Sequence, residues 1–424
     1  MRTRFTAALL ASAALVAACA GPHARTEIHV VEFWGMGREG EVVAELVPEF
    51  ERRNPGIRVA VQQIPWTAAH EKLLTAHVGG SLPDVAQMGN TWVPEFHVVG
   101  ALEDLTPLET ASASTNREEF FDGIWETSTI DGRLYGIPWY VDTRVLFYRS
   151  DLLRAAGFDA PPRSWSEWVR VCAALKAKSG RDDFHPMLLP TNEWPQPVVL
   201  AVNLGAPLIA ADATAQFSEP RFVEAFSFYL DFFRRGDAPV VAGSQIANLY
   251  QQFGEGEFAM LITGPWNVGE MRRRLPAEMQ GRWTTAPIPA PDGTPWPGLS
   301  IAGGSSLVVF EKSEQKEAAW KFIEFLTEPE QQVRFYKLSG NLPARRAAWD
   351  DPTLKQDREM AAFRTQLDHT VALPRIPEWE RIATAIFEQG ELAARGQFDA
   401  VEGARRLDVR VNEMLVKRRW VLSR

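Results

Sequence analysis

Strand-like and helix-like segments alternate through the first part of the main body, and this alternation constrains the fold most. The run IHVVEFW at 28–34 is rich in β-branched and aromatic residues, and an amphipathic run at 42–53 follows it and ends at an Asn-Pro-Gly turn. A second strand is predicted at 57–64, a helix at 68–78, and a third strand from Pro83. Strands that alternate with helices in this way predict an α/β lobe.

A second α/β region begins near Pro138. A strand is predicted at 145–149, and a helix follows it. Ser164, with Glu167 three residues later, forms a capping box and predicts the start of a further helix. The run at 258–262 is again strand-like. A chain of 424 residues is long enough for two or three domains.

The first residues have the layout of an export signal. Arg2 and Arg4 precede the apolar run TAALLASAALV, which is shorter than the roughly 20 residues that a membrane-spanning helix needs. The tetrapeptide VAAC that ends at Cys19 resembles a bacterial lipobox. It predicts a lipoprotein signal peptide at 1–18 and a lipid on Cys19. The alternative is an ordinary signal peptide that is cleaved near Ala20.

Charge, cysteines and histidines exclude several classes of protein. A formal net charge of −9 argues against nucleic acid as a partner, because a phosphate binder needs a basic face. If Cys19 carries lipid, Cys172 has no disulfide partner, and its place in a helical run predicts a buried core residue. The 7 histidines lack metal-ligand spacing, and no catalytic motif or phosphate-binding loop occurs. The sequence therefore predicts that the protein is not an enzyme and that it binds no metal ion or cofactor.

Four stretches in a fixed order carry a resemblance to a known family. They are 81–85 with Asn90 and Trp92; 134–149; 253–256 with Gly264-Pro265-Trp266; and 303–305 with the run NLPAR at 341–345. Together they resemble the extracellular solute-binding proteins of ABC-type sugar importers, the maltose-binding-protein-like group (family 1). The resemblance implies an α/β periplasmic-binding-protein fold of type II, with two lobes joined by a multi-strand hinge and a ligand cleft between them.

In this family the chain crosses between the lobes more than once. The resemblance places crossings near 138–142, near 264–266 and between 310 and 316. Closure of the lobes about such a hinge is a known mode of motion. The predicted boundaries are 27–138 plus 267–312 for lobe one, and 139–264 plus 316–424 for lobe two.

The tryptophans are the first candidates for ligand contact. A sugar packs the C–H faces of its rings on aromatic side chains, and the chain has 15 tryptophans but only 6 tyrosines. In open α/β sheets, ligands lie beyond the carboxyl ends of strands, which favours tryptophans that follow strands. The candidates are Trp34, Trp66 and Trp92 after the first three strands, Trp266 in the Gly-Pro-Trp motif, and Trp194 in the loop NEWPQP. The alternative for each is core packing, which is the prediction for Trp165, Trp168 and Trp320.

Polar candidates flank the first predicted crossing. The resemblance implies that Tyr140 and Asp142 point into the cleft, where Tyr140 stacks on the sugar and Asp142 accepts hydroxyl hydrogen bonds. The alternative is that they stabilise the hinge. Arg144 lies on the same side of the strand as Asp142, so an ion pair between the two is a second interpretation.

Further candidates come from the resemblance alone. Asn90 occupies a position where relatives often carry a hydroxyl-binding acid or amide. Gly303 and Gly304 let backbone N–H groups approach a ligand, or else form a tight turn. Trp296 is a candidate ring for the gap that Gly304 leaves. Arg375 resembles a late arginine that some relatives use on disaccharides.

The sequence therefore predicts an exported, lipid-anchored and monomeric binding protein at the periplasm or cell surface. Its predicted partners are a carbohydrate ligand, the membrane through the lipid on Cys19, and the transmembrane subunits of an ABC permease with its ATPase. The tryptophan count favours a disaccharide. Glycerol phosphate esters or a polyamine remain alternative ligands for the same fold, and a chemoreceptor partner or scaffold without transport remains an alternative role.

Overall fold

The computed structural model describes residues 28–423, so the predicted signal peptide and Cys19 lie outside the described residues. Its strands form two main sheets and two small ones. The strands are β1 (His29–Met36), β2 (Ile57–Ile64), β3 (Val85–Gly89), β4 (Thr129–Ile130), β5 (Arg133–Leu134), β6 (Ile137–Asp142), β7 (Val145–Arg149), β8 (His185–Leu188), β9 (Phe258–Thr263), β10 (Trp283–Ala286), β11 (Ser300–Ile301), β12 (Gly303–Val309), β13 (Leu342–Pro343) and β14 (Thr370–Val371).

Helices lie between most of these strands and form the carboxyl-terminal part of the described chain. They are α1 (Gly37–Arg53), α2 (Trp66–Gly79), α3 (Val93–Val98), α4 (Thr106–Ala111), α5 (Asp122–Trp125), α6 (Ser150–Ala155), α7 (Trp165–Ser179), α8 (Pro195–Asn203), α9 (Pro220–Arg234), α10 (Leu249–Glu255), α11 (Trp266–Arg274), α12 (Lys316–Thr327), α13 (Pro329–Ser339), α14 (Pro352–Lys355), α15 (Ala361–Leu367), α16 (Trp379–Ala394), α17 (Ala400–Met414) and α18 (Val416–Leu422).

Lobe one is built on a six-stranded sheet in the order β13-β6-β12-β3-β1-β2. β1 pairs in parallel with β2 and β3, and β12 runs antiparallel between β3 and β6. On one face Phe50 of α1 packs against Phe322 of α12, and on the other Leu73 of α2 and Phe96 of α3 belong to a second core. A sheet that is covered on both faces favours continuous apolar strands, and all five residues of β3 are buried.

Lobe two is built on a four-stranded sheet in the order β10-β7-β9-β8. The predicted capping of α7 is confirmed, since the Ser164 hydroxyl accepts a hydrogen bond from the Glu167 N–H at 3.3 Å. Trp165 stacks on Phe228 with ring centroids 4.2 Å apart. α16 and α17 pack against α9 in the same lobe. Trp165, Trp168 and Trp320, all predicted to be core residues, are buried, as is Cys172.

The chain crosses between the lobes in three places within the described residues. The first crossing is Thr143–Arg144, between β6 and β7, and the second is Ala302, between β11 and β12. These two segments run side by side, because the Thr143 hydroxyl donates to the Ile301 carbonyl oxygen at 2.9 Å. The third crossing follows β13 and leads to α15, which packs on β7 and β10.

The structure differs from the predicted lobe boundaries in two regions. The assignment of 267–312 to lobe one is wrong for β10, because β10 pairs with β7 in the sheet of lobe two. The assignment of 316–424 to lobe two is wrong for α12 and α13, because they pack against β1, β6 and α1 of lobe one. The predicted crossings near 264–266 and 310–316 are therefore replaced by the second and third crossings described above. Apolar periodicity identifies a strand or helix but does not show which sheet it joins.

Candidate functional site

One edge of the six-stranded sheet gathers most of the predicted site residues, and we call it the junction edge. β1, β2 and β3 are parallel, so their carboxyl ends meet there. β12 is antiparallel to β3 and places Ser305 opposite Gly89, so β12 begins at the same edge. β6 ends there, with Asp142 opposite Gly303. The junction edge faces the crossings into lobe two.

Asp142, Arg144 and Trp266 form a chain of contacts at the first crossing. Arg144 Nη1 donates to Asp142 Oδ1 at 2.9 Å, which is the ion pair considered from the sequence. The Arg144 guanidinium carbon lies 4.7 Å from the centroid of the Trp266 ring. Trp266 is the first residue of α11, in lobe two, and 47% of its surface is exposed. A large open aromatic surface therefore lies close to a carboxylate.

Glu39 is a residue of this edge that the sequence analysis missed. It lies in the first turn of α1, where a helix favours negative charge. Its Oε1 accepts from Asn341 Nδ2 at 2.9 Å and its Oε2 from Trp66 Nε1 at 3.4 Å. The sequence feature that could have identified Glu39 is the run Gly-Met-Gly-Arg-Glu directly after the first predicted strand. Gly37 in that run has a φ of +53°, and a Cβ there would stand 2.9 Å from Trp66 Cδ1, so the turn requires glycine.

The three tryptophans that follow strands lie in different environments. Trp66 and Trp92 are half-buried, with ring centroids 5.6 Å apart and ring planes 65° apart. Trp34 is only 8% exposed and belongs to the core beneath α2. The Lys72 ammonium lies 4.7 Å from the centroid of its ring. Trp66 and Trp92 keep partly open surfaces at the junction edge, whereas the ring of Trp34 is largely covered, and its stacking role stays a prediction.

The ring of Tyr140 is packed in the core, and its hydroxyl group lies at the junction edge. The ring stacks with Phe335, with centroids 6.0 Å apart and planes 25° apart, and its stacking on a ligand stays a prediction. Gln87 Nε2 donates to the hydroxyl oxygen at 3.2 Å. Burial raises the pKa of Tyr140 well above its usual value, and the nearby carboxylates of Glu39 and Asp142 raise it further. The hydroxyl therefore stays protonated and can donate a hydrogen bond.

Asn90 carries a buried side-chain amide whose NH2 group is unused. The residue is 6% exposed, and its Oδ1 accepts from Ser306 Oγ at 3.1 Å. Its backbone N–H donates to the Gly304 carbonyl oxygen at 3.2 Å. Its Nδ2 has no hydrogen-bond partner among residues 28–423. A buried donor without a partner costs about 1–3 kcal/mol, so a polar ligand atom or a water would be favourable here.

The two glycines at the start of β12 are required by close approach to β6. A Cβ at position 304 would stand 2.2 Å from the Tyr140 carbonyl oxygen, and the φ of Gly304 is +124°. A Cβ at position 303 would stand 2.3 Å from Asp142 Oδ1. Packing between strands thus accounts for Gly303 and Gly304, and it brings the backbone of the second crossing beside Asp142.

The comparison with known families decides the identity of this architecture. The family model described as bacterial extracellular solute-binding protein matches residues 36–333 of the chain, which include Asp142, Trp266 and the first two crossings. The chain belongs to this family.

Individual relatives agree with that assignment. This solute-binding protein is 45% identical to the sugar-binding protein MalE of the phytopathogen Xanthomonas citri, with a TM-score of 0.90 over 93% of this chain and 99% of that one. It is 29% identical to an uncharacterized lipoprotein of Streptomyces antibioticus over 92% of this chain and 88% of the relative. It is 25% identical to the diacetylchitobiose binding protein DasA of Streptomyces coelicolor over 80% and 78% of the two chains. The predicted two-lobed α/β fold and the predicted family are confirmed.

Arg375 lies at the Asn90 end of the solute-binding protein's junction edge, but lobe one engages it. It borders a small cavity together with Asn90 and Ala302. Its Nη1 donates to Glu126 Oε2 at 2.8 Å and to the Thr129 carbonyl oxygen at 2.8 Å. In this arrangement Arg375 ties its segment to lobe one.

Two further tryptophan candidates make other contacts in lobe two. Trp194 packs edge-to-face on Trp379, which belongs to the core of lobe two, with ring centroids 5.6 Å apart. Trp296 lies beneath the guanidinium of Arg163, whose carbon is 4.9 Å from the ring centroid. Trp296 is therefore engaged by an arginine of its own lobe.

A groove of about 810 Å³ lies between the lobes beside Trp266. Its lobe-one wall includes Arg38 and Asn341, and its lobe-two wall includes Trp266 and Arg272. Small-molecule sites typically enclose about 300–1,000 Å³, so the groove has room for a ligand. Across the residues that the structure describes, no group of three metal-ligating side chains occurs and no helix is long and apolar enough to cross a membrane.

Proposed function

We propose that this protein is the substrate-binding component of an ABC-type carbohydrate importer and that it binds a disaccharide between its lobes. The observation that carries the proposal is the exposed Trp266 indole beside the ion pair of Arg144 with the Asp142 carboxylate. An indole packs against the C–H face of a sugar ring, and carboxylates accept hydrogen bonds from hydroxyls. The names of the Xanthomonas citri MalE and Streptomyces coelicolor relatives, which describe sugar and diacetylchitobiose binding, support a carbohydrate ligand.

The pairing of charges at the site favours a neutral ligand. The guanidinium of Arg144 already pairs with Asp142, and that of Arg375 pairs with Glu126. A phosphate ester would require basic groups that are free to bind it. A polyamine would require unpaired carboxylates, whereas Asp142 and Glu39 each already accept a hydrogen bond. Uncharged hydroxyl groups fit this balanced set better than either alternative.

The mechanism is non-covalent and depends on the two lobes. Lobe one would supply Glu39, Asn90 and Asp142, and lobe two would supply Trp266. Closure about the crossings would bury the sugar between these groups, and the permease would recognise the closed form. The sugar favours closure only as far as it binds the closed form more tightly than the open form. No step of this mechanism requires a catalytic residue, a metal or a cofactor.

Export and anchoring complete the proposal. Cleavage before Cys19 and lipidation of that cysteine would tether a monomeric binding protein to a membrane on the outer side of the permease. The lipobox-like run VAAC supports this, and so does the lipoprotein relative of Streptomyces antibioticus. The alternative cleavage near Ala20 would leave the protein unanchored.

Isothermal titration calorimetry tests the ligand class. The protein would be produced without residues 1–19 and titrated with monosaccharides, disaccharides, glycerol 3-phosphate and spermidine. Saturable binding of one disaccharide with a stoichiometry near one would support the proposal. Binding of glycerol 3-phosphate or spermidine, with no heat from any sugar, would keep the fold but overturn the carbohydrate assignment.

A further inference from the structure

Arg144 contacts two of the side chains to which the proposed function gives ligand contacts. Its Nη1 donates to Asp142 on the lobe-one side at 2.9 Å. Its guanidinium carbon lies 4.7 Å from the ring centroid of Trp266 on the lobe-two side. A planar guanidinium can donate in its plane and stack with its face at the same time. One side chain therefore connects a hydroxyl acceptor with a stacking surface across the first crossing.

The three side chains differ in their exposure. The side chain of Arg144 is 14% exposed and that of Asp142 is 27% exposed. Trp266 is 47% exposed, which leaves a large part of its indole open although the guanidinium covers one region. A ligand that enters from solvent would thus meet the indole and the carboxylate, and the guanidinium lies behind them.

The backbone of Arg144 is held firmly at the hinge. Its N–H donates to Ser300 Oγ at 3.2 Å, and the Ser300 hydroxyl donates to the Arg144 carbonyl oxygen at 2.9 Å. Ser300 belongs to β11, which leads into the second crossing. Arg144 is therefore fixed where the first two crossings run side by side, and its side chain starts from a well-defined point.

We infer that Arg144 is a positioning residue of the ligand site, which orients Asp142 and Trp266 without contacting the ligand. The inference rests on the proposed function for the identity of that ligand as a sugar. Without the guanidinium, the Asp142 carboxylate would lose its partner and the indole would lose the cation that fixes its face. Both groups would then have to be ordered at the moment of binding, which lowers affinity.

The inference predicts a graded loss of affinity in Arg144 variants. By calorimetry with the disaccharide that binds the wild type, Arg144→Ala should weaken binding about tenfold or more. Arg144→Lys should weaken binding by roughly threefold or more, because an ammonium cannot donate and stack in the same way. The matched control is Arg163→Ala. The guanidinium carbon of Arg163 lies 4.9 Å from the ring centroid of Trp296, so this variant removes a similar cation from a tryptophan and should leave the sugar affinity unchanged.

Other outcomes overturn the inference. Affinity of Arg144→Ala within about twofold of the wild type would show that positioning is unnecessary, and tighter binding would show that Arg144 competes with the sugar for the indole. If Arg144→Ala does not fold, Arg144→Lys decides by the same criterion.

A ligand-free measurement separates this inference from the proposed function. In protein labelled with 5-fluorotryptophan, the ¹⁹F resonance of Trp266 is assigned by its loss in Trp266→Phe. Its shift should change in Arg144→Ala and Arg144→Lys but not in Arg163→Ala. An unchanged shift would overturn the positioning role even if sugar binds, whereas a changed shift with no sugar binding would overturn only the proposed function.

Discussion

Asp142 and Gly303 lie opposite each other where β6 and β12 pair, and a Cβ at position 303 would stand 2.3 Å from Asp142 Oδ1. The carboxylate of Asp142 thus takes the space that a side chain at 303 would need. It is held at the point where the sheet of lobe one ends and the crossings begin, and Arg144 pairs with it there. The backbone approach of two strands places this carboxylate between the lobes.

The neighbouring glycine should be essential for stability. Gly304→Ala should lower the free energy of unfolding by about 2–4 kcal/mol, because the φ of +124° disfavours any side chain and its Cβ would stand 2.2 Å from the Tyr140 carbonyl oxygen. The control is Gly132→Ala, where φ is +76° but no atom lies within 4 Å of the added Cβ, and it should cost only about 1 kcal/mol. Urea unfolding measures both, and equal losses would contradict the packing argument.

Glu39 should matter for ligand binding as a charged hydroxyl acceptor. Glu39→Gln should weaken sugar affinity roughly tenfold, because hydrogen bonds to a carboxylate are stronger than those to an amide. Glu41→Gln is the matched control, since Glu41 is an exposed residue of the same helix and bonds to Gln63. Calorimetry compares the two. Equal affinities in both variants would remove Glu39 from the site.

Asp368 should make stability depend on pH. Burial raises its pKa, but hydrogen bonds from Arg346 of lobe one and from Arg364 lower it overall. Because the folded pKa lies below the unfolded value of about 3.9, the contribution is present above that pH and is lost as pH falls through the folded pKa. Asp368→Asn should cost about 0.5–1 kcal/mol at neutral pH, a modest value because the carboxylate is 39% exposed.

The pH dependence of that cost is the test. Urea unfolding of the wild type and Asp368→Asn at neutral pH and near pH 3 should show the difference shrink in acid. A difference of the same size at both pH values would show that the loss arises from packing and not from the charged pair.

Cys19 should carry the membrane anchor. In cells fed radiolabelled palmitate, the wild-type protein should be labelled and should sediment with membranes. The Cys19→Ser variant should be unlabelled and should not sediment with membranes. Cys172→Ser is the matched control and should keep both properties, because the thiol of Cys172 is buried in lobe two. Recovery of unlabelled wild-type protein in the soluble fraction would contradict lipid anchoring.

The sequence predicted the elements of the fold better than their arrangement. β1, β2 and β9 lie within two residues of their predicted bounds, because alternating and β-branched runs are strong local signals. The membership of β10 and α12 in a lobe was predicted wrongly, because each element has an apolar face that either sheet could cover. Only the strand pairing and helix packing of the folded chain settle which sheet each joins.

The site was predicted in part for a similar reason. Trp266 and Asp142 could be proposed as site residues because a family-like motif and a predicted crossing mark them. The buried environments of Trp34 and Tyr140 could not be found, because a strand end does not reveal whether its aromatic ring faces the core or the cleft. Glu39 was missed because an acid in the first turn of a helix is common for reasons of helix stability alone.

Intrinsic tryptophan fluorescence reports directly whether a sugar binds against Trp266. Protein without residues 1–19 would be titrated with mono- and disaccharides, alongside Trp266→Ala and the control Trp296→Phe. We expect a saturable fluorescence change with one disaccharide in the wild type and the control. We expect affinity at least about tenfold weaker in Trp266→Ala, because the stacking surface is lost. A wild type that responds to no sugar, or a Trp266→Ala variant that binds the disaccharide as tightly as the wild type, would contradict this expectation.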